Sequence, residues 1–230
     1  METELTLVDV FGSRENKGIM PMFFGTQEAN QLRLVSKDMK QAVEWYPWED
    51  METEIENLAK WKKCFPYARS ADVAEVLDLK NEDLSELKGV PNVSIMNPTL
   101  EDKHFVNFTG IKKLNIDWCN QSTITDKAFE SLKGIHTLSM GGCNQSTITD
   151  KAFESLVGIS NLTIGDCVQL TDKSFEYLAG IQKLDMTGCS QITDEGLKHL
   201  AGIDSLVIID CEQLSKVVVD KVAKFVVRDY

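Results

Sequence analysis

From about Val73 onward, apolar positions alternate between two periods. In GIQKLDMTGC, Leu184 and Met186 alternate with Lys183, Asp185 and Thr187, the period of a short half-buried strand. QITD follows, and its Thr193 and Asp194 suit the start of a helix, as cap and as complement to the positive helix end. EGLKHLAGI then places Leu197 and Leu200 three apart on one helical face. Gly202 stands where a left-handed residue ends the turn. The pattern predicts strand, turn, short helix, turn.

This unit recurs. Cys119, Cys143, Cys167, Cys189 and Cys211 lie at steps of 24, 24, 22 and 22. A Gly stands nine before each (Gly110, Gly134, Gly158, Gly180, Gly202) and a Leu five before each (Leu114, Leu138, Leu162, Leu184, Leu206). Asp102, Asp126, Asp150, Asp172 and Asp194 keep the same phase, eight before the next Gly. Self-similarity at this period signals a stacked array whose units bury one another's apolar faces. Upstream, Gly89 plays the glycine part and Pro98 replaces the cysteine. Downstream, Val219 and Val222 continue the helical leucines. About seven units are expected, with atypical ends as caps.

Two segments, 120–132 and 144–156, are identical: NQSTITDKAFESL. They supply turn and helix, and predict like-on-like layers of Ile124 with Ile148, Phe129 with Phe153 and Leu132 with Leu156. Recent duplication accounts for the identity. The strands between them differ, KKLNIDWC against HTLSMGGC, so any specific reading surface is expected on the strand side. The mixture of steps predicts two turns enlarged by two residues, at the two copies.

The pattern LxxLxLxxC followed by ITDxGLxxL, with SQITDEGLKHLAGI close to it in its literal residues, resembles the cysteine-containing leucine-rich repeat over about Val73 to Val227. The resemblance implies an α/β solenoid, with parallel strands on the concave face and short helices on the convex face. It also implies a structural role for the cysteines, as a buried ladder. Upstream, QEANQLRLVSKDMKQAVEWYPW carries Ala29, Leu32, Val35, Met39 and Val43 at helical spacing and resembles the second half of an F-box. METEIENLAKWKKCFP reads as an amphipathic helix with Ile55, Leu58 and Trp61 inward, capping the first repeat. Two regions are expected: 1–65, F-box-like and helical, and 66–230, the solenoid with its C-terminal cap.

Charge and composition narrow the function classes. The net charge is −12 with a pI near 4.7, which disfavours duplex DNA and anionic lipid; no basic run offsets it. The N-terminus lacks the charge pattern of a signal peptide, and no stretch reaches the length of a membrane span. An intracellular setting, cytoplasmic or nuclear, is expected, with a virion-associated protein of a large DNA virus as the alternative. No Cys-x-x-Cys pair, nucleophile motif or Gly-rich phosphate loop is present, so neither an enzyme nor a cofactor is expected. Redox sensing or metal capture would require titratable thiols.

The strand positions expected to face outward include Lys113, Asn115, Asp117, Trp118, Asp166, Lys183, Asp185 and Asp210 as candidates for contacting a partner. Trp118 is the one aromatic anchor among them. A C-terminal cap would cover Val207 and Ile209. In the N-terminal region, Phe23, Phe24, Leu32, Leu34 and Val35 are the candidates for docking a ubiquitin-ligase adaptor. The F-box resemblance implies a substrate receptor presenting a client protein to a cullin-type ligase. The alternative is a binding or assembly solenoid with no ubiquitin role.

Overall fold

The computed structural model describes residues 26–49, 57–73 and 83–228. Eight strands pair in sequence order into one parallel sheet: β1 (Ser70–Asp72), β2 (Asn92–Ser94), β3 (Lys113–Asn115), β4 (Thr137–Ser139), β5 (Asn161–Thr163), β6 (Lys183–Asp185), β7 (Ile203–Val207) and β8 (Ala223–Val227). The register aligns Leu114, Leu138, Leu162, Leu184 and Leu206 as one file. The ladder starts at Ser70, ahead of the first repeat phase visible in the sequence, and β8 is a strand where only a cap was expected.

The returning segments are shorter than α-helices usually are. α4 (Asp126–Phe129), α5 (Asp172–Phe175) and α6 (Asp194–Leu197) are single turns, and 102–108 and 150–156 are wholly 3-10. Each must start after a cap and end before a left-handed glycine, so it has no room to propagate a helix. α7 (Lys216–Val222) is the exception in the last unit.

The core is a set of files running along the stack. Phe105, Phe129, Phe153, Phe175 and Leu197 are fully buried in one file, and Leu100, Ile124, Ile148, Leu170 and Ile192 form another. The two enlarged turns carry the extra residues as Ser122–Thr123 and Ser146–Thr147. Thr123 and Thr147 donate through Oγ to the Leu100 and Ile124 carbonyls of the preceding unit, each at 2.7 Å.

A second file is polar. Thr125, Thr149, Thr171 and Thr193 each cap their own turn through Oγ. Thr and Asp were both expected to cap locally. The Asp instead serves the next unit. Thr171 donates its N–H (2.8 Å) and its Oγ–H (2.6 Å) to the Asp150 carboxylate, and the same pair of bonds links Asp102 to Thr125, Asp126 to Thr149 and Asp172 to Thr193. The threonine oxygen that accepts from the helix thus donates to a charge, an arrangement that strengthens both bonds.

At the N-terminal end, α1 (Thr26–Leu32) and α2 (Lys37–Trp45) form a helix pair, and α3 (Leu58–Cys64) packs on the 3-10 turn at 83–87. Leu58 and Trp61 are buried, as the amphipathic reading expects, whereas Ile55 lies outside the described residues. The Trp48 carbonyl accepts from Arg69 N–H (2.7 Å) and Ser70 N–H (3.2 Å), which covers the open edge of β1 and fixes the cap to the sheet. Trp48 Nε1–H itself donates to the Val43 carbonyl at 2.9 Å. Arg33 pairs with Glu44 at 2.9 Å and ties α1 to α2.

Candidate protein-interaction face

The outward residues of the strands stand in rows set by the register: Asn92, Lys113, Thr137, Asn161, Lys183 and Ser205 in one, Ser94, Asn115, Ser139, Thr163, Asp185 and Val207 in the next. Lys113 and Lys183 are exposed at the strand starts. Asn115, Asp117 and Asp185, also expected to contact a partner, are engaged within the sheet. Asn115 Oδ1 accepts from Asp117 N–H (2.8 Å), and the Asp117 carboxylate accepts from Ser139 Oγ–H (2.8 Å) and Gly141 N–H (2.7 Å). Asp185 Oδ1 accepts from Thr187 N–H (3.1 Å) and Oγ–H (2.8 Å). These groups shape the strand ends.

Beyond the strand ends the backbone turns through the left-handed region once per unit. Trp118 (φ 63°), Gly142 (73°), Asp166 (60°), Gly188 (71°) and Asp210 (56°) form one file there. Glycine meets this geometry freely, and Asp tolerates it, but for Trp it costs about 1–2 kcal/mol. Trp118 is nevertheless 59% exposed. Its indole lies over Gly142, where an added Cβ would come within 2.4 Å of Cε3. Asp166 lies likewise over Gly188, whose Cβ would meet Oδ1 at 2.5 Å. Large residue and bare backbone alternate along the file. The sequence signal for this alternation is that Gly142 and Gly188 share one phase with Trp118.

Val207 and Ile209 are half-buried, and β8 adds exposed Phe225 and Val227 beside them. The C-terminal end of the strand face is therefore apolar. β8 lies next to these residues in the sheet and leaves them uncovered.

The five cysteines are buried and free. Each Sγ–H points to a carbonyl of the preceding unit: Cys143 to Ile116 (3.2 Å), Cys167 to Met140 (3.2 Å), Cys189 to Ile164 (3.1 Å), Cys211 to Met186 (3.3 Å) and Cys119 to Ile95 (3.6 Å). Burial, with a neighbouring thiol adding to it, pushes Cys143 and Cys189 up to about 12 and raises Cys167, and burial with the nearby Asp117 raises Cys119. Thiols held protonated in this way are poor nucleophiles and poor metal ligands. A companion file went unread in the sequence: a Gln stands two after every cysteine. Gln145, Gln169 and Gln213 donate through Nε2 to the carbonyls of Cys119, Cys143 and Cys189. His104 is also structural. It is buried, accepts from Glu101 N–H through Nδ1 at 2.9 Å, and is held below its ordinary pKa by desolvation.

Of the N-terminal candidates, Leu32 is half-buried against the core. Leu34 and Val35 project from the α1–α2 turn, 81% and 72% exposed; the helical spacing that runs through Val35 is broken there, because α1 ends at Leu32. Phe23 and Phe24 lie outside the described residues.

No family model and no curated protein matches the sequence. Solved structures do. A chain of the Rad7–Elc1 complex from yeast aligns over 70% of this protein with a TM-score of 0.54 and 16% identity. The match covers 48% of that chain, so this protein spans about half its length. The leucine-rich-repeat-containing protein LegL7 from Legionella pneumophila aligns over 86% of this protein and 80% of its own length, with a TM-score of 0.39 and 11% identity. A chain of the Toll–Spätzle complex from Drosophila aligns over 68% of this protein and 25% of its own length, with a TM-score of 0.48 and 10% identity. At these identities the likeness is one of fold: a leucine-rich-repeat-like α/β solenoid, an architecture suited to protein–protein contact.

Proposed function

We propose that the protein is a receptor without chemistry of its own: its strand face holds a client protein, and its N-terminal helices dock an adaptor of a cullin-type ubiquitin ligase. One observation carries the client-binding half. Trp118 keeps an unfavourable backbone conformation while exposing most of an indole, and strain retained at an exposed aromatic marks function. Flanking it, Asp166 and Asp210 lie along the strand ends and Lys113 and Lys183 along the starts, which gives the face electrostatic selectivity. The adaptor half is supported by Leu34 and Val35, an apolar pair on a turn that Arg33, Glu44 and Trp48 hold firmly to the sheet.

The second reading, a binding or assembly solenoid with no ubiquitin role, is favoured by the small size of that apolar pair among the described residues. The two readings separate on the full chain presented to purified adaptor, beside a Leu34→Asp/Val35→Asp variant. Adaptor binding that the variant loses supports the ligase reading. Absence of binding by the folded wild type removes it and leaves the scaffold. Crosslinking mass spectrometry in the native source tests the client half: crosslinks concentrated around Trp118 and lost in Trp118→Ala support it, and crosslinks indifferent to that change reject it.

A further inference from the structure

The charge of −12 hides a basic region that forms only on folding. The residue preceding each strand is stacked on its equivalents, because Asn92 N–H donates to the Arg69 carbonyl, Lys113 N–H to Pro91 and Thr137 N–H to Lys112. This brings Arg69, whose charge is partly met by Glu49 at 3.3 Å, Pro91, Lys112 and His136 into one file. Lys113 opens β3 beside it, and Lys88 and Lys133 precede the left-handed glycines Gly89 and Gly134 on its other side. Between these side chains the surface is low. A Cβ on Gly89, Gly110, Gly134 or Gly158 would meet nothing within 4 Å. Two open hollows of about 270 and 550 Å³ lie along this floor, sharing Lys112 as a wall.

Lys88, Lys112, Lys113 and Lys133 are all exposed, and among the described residues none forms an ion pair. In later units the Lys112 position is held by Ser160, Gln182 and Asp204, and the Lys113 row carries one further lysine, Lys183, so the charge is densest around β3 and β4. We propose that this trough docks a short acidic segment of a partner protein, extended along the stack. From β2 to β4 is about two strand spacings, roughly 10 Å, which an extended segment of about four residues spans with alternate carboxylates facing the lysines. A peptide fits better than a nucleic acid for two reasons. Among the described residues no exposed Trp, Tyr or Phe lines the trough to stack bases, and the acidic remainder of the chain repels a long polyanion. The trough shares Lys113 with the strand face but includes neither Trp118 nor the Leu34–Val35 turn, and the inference stands on its own geometry, whichever reading of the function holds.

The test uses the full chain with fluorescently labelled octaglutamate and a labelled twelve-nucleotide oligothymidine, read by anisotropy at about 50 and 300 mM salt. Octaglutamate is expected to bind at low salt and to be released at high salt. Lys112→Gln/Lys113→Gln/Lys133→Gln should weaken it roughly tenfold, the effect of losing about three partly screened ion pairs. Lys151→Gln/Lys173→Gln, which removes exposed lysines from the opposite side, should leave binding unchanged. Circular dichroism establishes that both variants fold. Absence of octaglutamate binding, equal binding by the trough variant, or tighter binding of the oligothymidine would each overturn the proposal.

Discussion

Gly142→Ala separates two demands that fall on one residue. Gly142 sits at φ 73° and beneath the Trp118 ring, with an added Cβ 2.4, 2.8 and 2.9 Å from Cε3, Cδ2 and Cζ3. Gly134 has nearly the same backbone, φ 79°, but open space where its Cβ would be. Gly134→Ala therefore measures the backbone cost alone, about 1 kcal/mol. Gly142→Ala adds displacement of the indole. Contacts near 2.5 Å must open to about 3.5–4.0 Å, and the ring, already half in solvent, swings away and loses the face it had packed. That loss is about 1–2 kcal/mol, for a total of about 2–3 kcal/mol. Urea unfolding followed by circular dichroism, with m values compared to establish like transitions, measures both. In a Trp118→Ala background the excess should vanish, leaving Gly142→Ala at about 1 kcal/mol. Equal effects of Gly134→Ala and Gly142→Ala in the wild-type background would show that the indole does not rest on the glycine. The account of Trp118 as a supported anchor would then fail.

Three further expectations follow from the files of the stack. Thiol titration at pH 8 should find Cys119, Cys143, Cys167 and Cys189 unreactive until denaturant is added; prompt labelling of any of them would contradict their raised pKa values. The same thiols make stability pH-dependent. It is intact below their ordinary value near 9, and falls as pH rises from there toward about 12, because the unfolded chain ionises first; alkaline melts with a flat Tm over that range would refute this. Asp150→Ala removes both bonds to Thr171 and should cost about 1–3 kcal/mol in denaturant unfolding, whereas Lys151→Ala next to it should be nearly neutral.

Most of the core was legible because it repeats. A leucine, an isoleucine or a phenylalanine at fixed phase can be assigned to a buried file from spacing alone, and the enlarged turns followed from the step lengths. Three features were less accessible, each for its own reason. The Asp of each unit bonds forward to the next Thr, and a motif read within one unit cannot distinguish a local cap from a link along the stack. The left-handed file is spelled Trp, Gly, Asp, Gly, Asp, so no single residue type announces it. The basic trough draws on lysines more than twenty residues apart, invisible to any search for a charged run. In the N-terminal region no repeat averages out local ambiguity, and the helical spacing from Ala29 to Val43 hides the break between α1 and α2 at which Val35 faces solvent.

The pairing of Trp118 with Gly142 and of Asp166 with Gly188 also bears on how this gene can change. Identical outer segments invite unequal crossing-over. An exchange joining Cys119 to Asn144 would excise residues 120–143 while preserving the phase of the outer turns. The spine would close without a seam, yet the indole would then rest on the neighbour of Gly165, an aspartate side chain, instead of bare backbone. The modules are alike from behind and keyed in front, so their sequence of succession is itself under structural constraint.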